Sequence, residues 1–286
     1  MQPKSDLKYY ESTNKLEKYM DNQNQNFNSN TIPDHQELFI PNGQSLSSIE
    51  GVKWISEAWK LAKSNWGMWI LFCVIYLIFV AGFQFIPFIG GFVGIFNPVF
   101  IGGIIAACEQ QRTTGEFELE LLFNGFQKNF ASLLGVGALS FGIIFLGIIA
   151  MLIIDGEEIT EILFSILLNQ NASLKIFEYS SPTLFFSVFA LTISYIIAIA
   201  LTWFAPALII IHNLKFGAAI SMNLKAVKKN LLPGLLFFII STVLIIISLI
   251  TFGLGFLISM PILLVSYYSS YRSIFISKEN VSSLTA

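Results

Sequence analysis

Two runs of this chain carry no charged side chain for 45 and 42 residues, Ser64 to Cys108 and Asn230 to Tyr271. A membrane-spanning helix needs about 20 apolar residues. Each run is therefore too long for one span and long enough for two. PFIGGFVG at 87–94 divides the first run, and TFGLG at 251–255 divides the last. Two further spans fit 131–154 and 190–214. The expected fold is an all-α integral membrane protein with six transmembrane helices, at about 66–86, 88–108, 131–154, 190–214, 231–251 and 254–271. The runs are continuous rather than alternating, which favours helices over a closed barrel. Composition agrees: 12% of residues are charged and 55% hydrophobic, where a soluble domain carries about 25% charged residues.

Orientation follows from the basic residues. With an even number of spans both termini share a side. That side holds 15 of the 16 Lys and Arg, and only Lys175 lies opposite. Without the four lysines of the N-terminal segment the ratio is still 11 to 1. The positive-inside rule places both termini in the cytoplasm. Residues 1–47 are polar and include NQNQNFNSN at 22–30. They read as a disordered cytoplasmic tail with no signal peptide. Residues 277–286 read as a short cytoplasmic C-terminal tail. The segment 155–182 reads as an external insertion of net charge −4, with Ile159, Ile162, Leu163, Ile166 and Leu167 on one helical stripe. The net charge of −2 gives no reason to expect a nucleic-acid partner.

The chain repeats itself. At an offset of 165, Ile55, Trp59, Ala62 and Trp66 fall on Ile220, Leu224, Val227 and Leu231; at an offset of 64 they fall on Leu119, Phe123, Phe126 and Phe130. Asn65 aligns with Asn129 and Asn230, so KSNW, QKNF and KKNL are copies of one corner. The spacing is one stripe of a helix. Each copy is expected to be a cytoplasmic amphipathic helix followed by a transmembrane hairpin, with the asparagine as the N-cap of the outward span. In the first copy, Ser47 and Glu50 have the spacing of a capping box. Lys60, Lys63, Lys225, Lys228 and Lys229 either contact anionic lipid headgroups or simply fix topology; the second reading is the simpler. The three returning spans share a central proline, Pro98, Pro206 and Pro261. Proline there kinks a helix. Three kinked helices could enclose a cavity lined by Asn97, Pro98, Trp203, Pro206 and Pro261, with Asn97 answering a carbonyl freed by the kink, or the kinks could only shape packing.

No HExxH, CxxC, P-loop or GxSxG pattern occurs, and no charged residue falls at the centre of a span. No catalytic, cofactor or metal residue is expected. His212 beside Asn213 reads as a packed polar residue, and Cys73 and Cys108 as packing residues.

GVKWISEAWKLAKSNWGMW, then NPVFIGGIIAACEQQRTTGEFELELLFNGF, LTWFAPALIIIHN and PILLVSYYSSYRSIF, resembles a group of uncharacterised bacterial six-helix inner-membrane proteins. These are similar to the YciC-like family and to the membrane domain of some glycerophosphodiester phosphodiesterases. The resemblance covers roughly residues 50–276. It implies a bacterial cytoplasmic membrane and supplies no catalytic residues. The functional expectation is a non-enzymatic membrane protein that handles lipid or a small apolar molecule. The alternatives are a membrane scaffold or assembly partner and a passive small-solute permease.

Overall fold

The computed structural model describes residues 35–84, 90–167 and 182–280. The chain divides into two compact units, residues 39–277 and a smaller one of residues 1–38 with 278–286. Strands β1 (His35–Phe39) and β2 (Ile276–Asn280) pair as a two-stranded sheet. All else that is regular is helical: α1 (Glu50–Ser64), α2 (Trp66–Gln84), a 3-10 helix (Gly90–Phe96), α3 (Asn97–Thr114), a second 3-10 helix (Leu119–Phe123), α4 (Asn124–Gln127), α5 (Phe130–Leu167), α6 (Pro182–Thr202), α7 (Ala205–His212), α8 (Phe216–Lys229), α9 (Leu231–Ile250) and α10 (Phe256–Phe275).

Among the described residues, four stretches are long and apolar enough to cross a membrane: Phe92–Thr114, Phe130–Glu157, Thr183–His212 and Leu231–Ile250. A fifth arises if α1 and Trp66–Val80, bent by 103° to each other, count together. The segment expected at 254–271 is a helix, α10, but its second half reads SYYSSYR and dilutes its apolar character. Burial separates these helices. An 18-residue apolar window within Phe92–Thr114 is 61% buried, whereas those within Phe130–Glu157 and Thr183–His212 are each 11% buried. Helix α3 is the centre of the core, with Phe100, Ile104 and Ile105 packed among Trp69, Leu133, Leu208, Tyr268 and Tyr271.

Helix α1 buries Gly51, Trp54, Ala58 and Ala62. Of the stripe expected from sequence, Ile55, Trp59, Ala62 and Trp66, only Ala62 is on the buried face: Ile55 and Trp66 are half-buried and Trp59 is exposed. Small residues decide the rotation, because they let α1 lie directly on α9 and α10. A Cβ on Gly51 would sit 2.2 Å from the Pro233 carbonyl oxygen. The capping box is absent as well. Ile49 holds the N-cap position with no side-chain bond, and Glu50 pairs with Lys53.

The middle copy has no full leading helix. Residues 119–127 form the second 3-10 helix and the single turn α4. Glycines again explain the difference. A Cβ on Gly103 would meet the Leu122 carbonyl oxygen at 2.1 Å, and one on Gly125 would meet that of Val99 at 2.1 Å. Backbone lies on backbone here, and an amphipathic helix would not fit.

Two of the three prolines do not kink a helix. Pro98 and Pro206 are the second residues of α3 and α7, where no intrahelical N–H bond is lost. Only Pro261 stands inside a helix, α10. The break before α7 is answered by Asn223, which is fully buried. Its side chain accepts from the Phe204 N–H at 2.8 Å and donates to the Ala200 carbonyl at 2.9 Å.

Helix α5 runs on past a break at Asp155 to Leu167. The helical stripe expected at 159–167 is thus the far end of α5, and residues 168–181 of the insertion lie outside the described residues. So do 1–34 and 281–286, where most of the two tails expected from sequence fall. Residues 39–47, assigned to the tail, belong to the larger unit.

Candidate functional site

The three corner asparagines do share a task beyond starting a helix. At each corner the backbone carbonyl serves the helix that follows: Asn65 accepts from Met68 and Trp69, Asn129 from Ser132 and Leu133, and Asn230 from Gly234. The side chains go elsewhere. Asn65 donates to the Gly115 carbonyl just past α3 at 3.4 Å. Asn129 donates to the Ile209 carbonyl at 3.2 Å and to the Asn213 side chain at 3.1 Å, at the end of α7. Asn230 holds the N-cap position of α9, but without a side-chain cap bond. It donates to the carbonyls of Gln44 (2.8 Å) and Ala226 (2.9 Å) and accepts from the Leu46 N–H at 2.9 Å. Gln44 in turn reaches the end of α10. Each corner is tied to the far end of its own hairpin.

Residues 40–46 form a strap over the C-terminus of α10. A helix end leaves its last carbonyls without intrahelical donors. Here Ile40 N–H donates to Phe275 O at 2.8 Å, Gln44 N–H to Ile274 O at 2.9 Å, and the Gln44 side chain to Ser273 O at 2.8 Å. Gly43, at φ +61°, turns the strap where a Cβ would lie 2.8 Å from the Ile274 side chain. Two of the expected headgroup lysines are used here. Lys229 donates to the carbonyls of Asn42 (3.2 Å) and Gly43 (2.9 Å), and Lys225 to the Asn42 side chain at 3.2 Å. Lys60 pairs with Glu57 at 2.7 Å. Lys63 and Lys228 are exposed.

The five residues expected to line a central cavity are not gathered around one. Pro98, Pro206 and Pro261 are buried in packed helices. Trp203 stacks on Tyr267 with ring centroids 4.0 Å apart, and its indole N–H donates to Ser270 at 3.2 Å. Asn97 is exposed and accepts from the Tyr76 hydroxyl at 2.9 Å rather than serving a carbonyl.

The C-terminal parts of α3, α7 and α10 converge in a polar cluster. Arg112 pairs with Glu109 at 2.6 Å and donates from Nε to the Tyr268 hydroxyl at 2.8 Å; that hydroxyl donates to the other Glu109 oxygen at 2.5 Å. Beside it, His212 Nε2 and the Tyr271 hydroxyl are 2.6 Å apart, and Phe39 stacks on the His212 ring at 3.7 Å. Gln111 accepts from the Trp69 indole at 2.7 Å and donates to Leu61 O and Ser64 Oγ, fastening the 103° bend. Every ring member is answered by another, so the cluster acts as a tie between helices.

A groove of about 440 Å³ opens between α2 and α10. Ile70, Cys73, Val74 and Leu77 form one wall; Phe256, Leu257, Met260 and Pro261 form the other, with Gly253 at the end. Of the five expected cavity residues, Pro261 is the one on this groove.

No protein-family model, curated protein or solved structure matches the chain. The groove's lining is apolar, its side-chain heteroatoms being the buried Cys73 thiol and the Met260 thioether. Among the described residues no three His, Cys, Asp or Glu are grouped to hold a metal ion. Sequence reasoning missed the Glu109–Arg112–Tyr268 ring and Asn223. One signal was available: the first charge after each returning proline falls at nearly the same distance, at Glu109, Lys215 and Arg272. Asn223 gave none, since an asparagine within a lysine-rich helix reads as solvated.

Proposed function

We propose that the chain is a multi-pass protein of a bacterial cytoplasmic membrane, non-enzymatic, that holds a lipid or a small apolar molecule. It crosses six times in three hairpins, with both termini in the cytoplasm. The observation that carries this reading is the exposed apolar surface of Phe130–Glu157 and Thr183–His212, each of which contains an 18-residue apolar window with only 11% of its residues buried. Ile153 is 80% exposed and Phe185 69%. Soluble monomers rarely expose contiguous apolar patches beyond a few hundred Å², and a bilayer covers such a surface at no cost. The 103° bend at Asn65 supports a surface-lying α1 and a crossing α2. The shared tie at Asn65, Asn129 and Asn230 supports three related hairpins. Exposed Lys63 and Lys228 would then face anionic headgroups. The resemblance to YciC-like proteins belongs to the same reading.

Reporter fusions test the topology. Cytoplasmic signals are expected after residues 120 and 220 and a periplasmic signal after 170, and a reversed signal at any of these overturns the six-span arrangement. Lipid analysis of the purified protein tests the role. A reproducible co-purifying lipid is expected, and a protein that emerges lipid-free and folded refutes lipid handling.

A further inference from the structure

Resting on the lipid-handling reading, we infer that the groove between α2 and α10 holds one acyl chain of an anionic phospholipid of the inner leaflet, with its headgroup beside Lys63. The α2 wall is a helical stripe, Ile70, Cys73, Val74 and Leu77, which runs about 10 Å along the helix. The volume of about 440 Å³ lies within the ~300–1,000 Å³ of small-ligand pockets. Such pockets fix a polar ligand with a few convergent polar groups. This one is lined by apolar side chains, with the Cys73 thiol and the Met260 thioether as its weakly polar groups, so the part of the ligand inside it is hydrocarbon.

The groove is entered sideways. Val74, Leu77 and Leu257 are 39%, 43% and 49% exposed, and they continue into the exposed apolar side chains of Leu71, Ile78 and Ile258. All lining residues come from α2, α10 and the turn between α9 and α10. Among the described residues, no third helix contributes to this lining. Gly253, at φ +87°, leaves the outer end without a side chain.

Charge sets the direction of the chain. The outer end, TFGLGF at 251–256, has no charged residue. At the inner end the α2 stripe continues to Trp66, which meets Trp59 edge-on at 5.1 Å. Tryptophans of this kind belong at the membrane–water boundary. The last turn of α1 offers Lys63 at this corner, and Lys60, one turn earlier, is engaged with Glu57. Lys63 is therefore the cation available to a phosphate. A lipid with its chain at 70–77 and 253–261 has its headgroup at this corner and not at the outer turn.

The test is native mass spectrometry of the purified full-length protein with palmitoyl-oleoyl phosphatidylglycerol or the matching phosphatidylcholine. The wild type should retain phosphatidylglycerol in preference. Val74→Trp and Leu257→Trp fill the groove from exposed positions and should each lower retention of both lipids by at least ~10-fold. Lys63→Gln should lower phosphatidylglycerol retention about fivefold and leave phosphatidylcholine unchanged. If the groove-filled variants melt like the wild type and retain lipid as it does, the groove is not the site, although lipid handling stands. If the wild type retains neither lipid, lipid handling falls and the groove with it. Should a tryptophan variant fail to fold, photocrosslinking of the wild type with phosphatidylglycerol bearing an acyl-chain diazirine decides. Adducts on residues 66–84 and 251–261 support the site, and adducts confined to α5 and α6 overturn it.

Discussion

Serine at Asn230 separates two roles that the sequence alone could not. Serine is a good N-cap, so a capping role survives Asn230→Ser. A tie to the strap does not, because the shorter side chain cannot reach Gln44 and Leu46. Asn230 is 3% exposed and makes three side-chain hydrogen bonds of 2.8–2.9 Å. The substitution leaves the Gln44 carbonyl and the Leu46 N–H without those partners. An unsatisfied buried group costs about 1–3 kcal/mol. The strap is only half-buried, so water recovers part of this, and the expected loss is about 2–4 kcal/mol. Amide hydrogen exchange reads that loss locally. Opening of residues 40–46, followed at the Gln44 amide that bonds to Ile274, should become roughly 30- to several-hundred-fold more frequent. The first turn of α9 should keep wild-type protection. Wild-type exchange in the strap, or a loss confined to residues 231–234, would refute the tie.

Other substitutions probe the remaining contacts. Gly51→Ala forces a Cβ to 2.2 Å from the Pro233 oxygen, and a melting curve should show a loss of about 1–3 kcal/mol. Gly67→Ala, which meets nothing within 4 Å, should melt no lower than the wild type. Asn223→Leu strands the Phe204 N–H and the Ala200 carbonyl in a fully buried site; about 2–4 kcal/mol should be lost, and a wild-type melt would show that the α6–α7 break needs no support. Pro206→Ala should change stability by less than about 1 kcal/mol, since a first-turn proline relieves no missing bond; a large loss would restore the idea of a strained kink.

What the sequence made legible was periodic and local. The long uncharged runs predict the helices, and the KSNW, QKNF and KKNL corners mark where α2, α5 and α9 begin. Two glycine effects stayed hidden. Nothing in GVKWISEAWK says that Gly51, and not the Ile55–Trp59 stripe, faces the interior, because that depends on Pro233, 182 residues away in sequence. Likewise NPVFIGG and ELLFNGF carry no local sign that their backbones touch. The prolines misled for a different reason. A proline in the middle of an apolar run is ambiguous between a kink and a first turn, and the break at Trp203–Phe204 that decides it is held by Asn223 on another helix. The polar cluster was overlooked because Glu109 and Arg112 sit at a predicted span end, where charges are expected to meet water.

The placement of polar ties and small residues follows from the solvent that the proposed function assigns. In water, burial of apolar side chains would stabilise the helix body. Between lipid tails that driving force is absent, and helices associate through close packing and hydrogen bonds. The least buried pair, α5 with α6, shows what such packing requires. A Cβ on Gly147 would lie 2.6 Å from Ser194, and Ser140 bonds Thr202 at 3.2 Å. The interior follows the same logic with stronger bonds: Asn129 to α7, Asn223 across the α6–α7 break, Asn230 to the strap, and the Glu109–Arg112–Tyr268 ring between α3 and α10. Replacing one of these polar groups by an apolar residue of similar size should therefore cost more than shortening a lipid-facing side chain. Asn223→Leu against Ile153→Ala makes the comparison directly. If Ile153→Ala, at a position 80% exposed, destabilises the folded protein as much as Asn223→Leu does, apolar burial at that surface holds the fold together and its lipid-facing assignment is wrong.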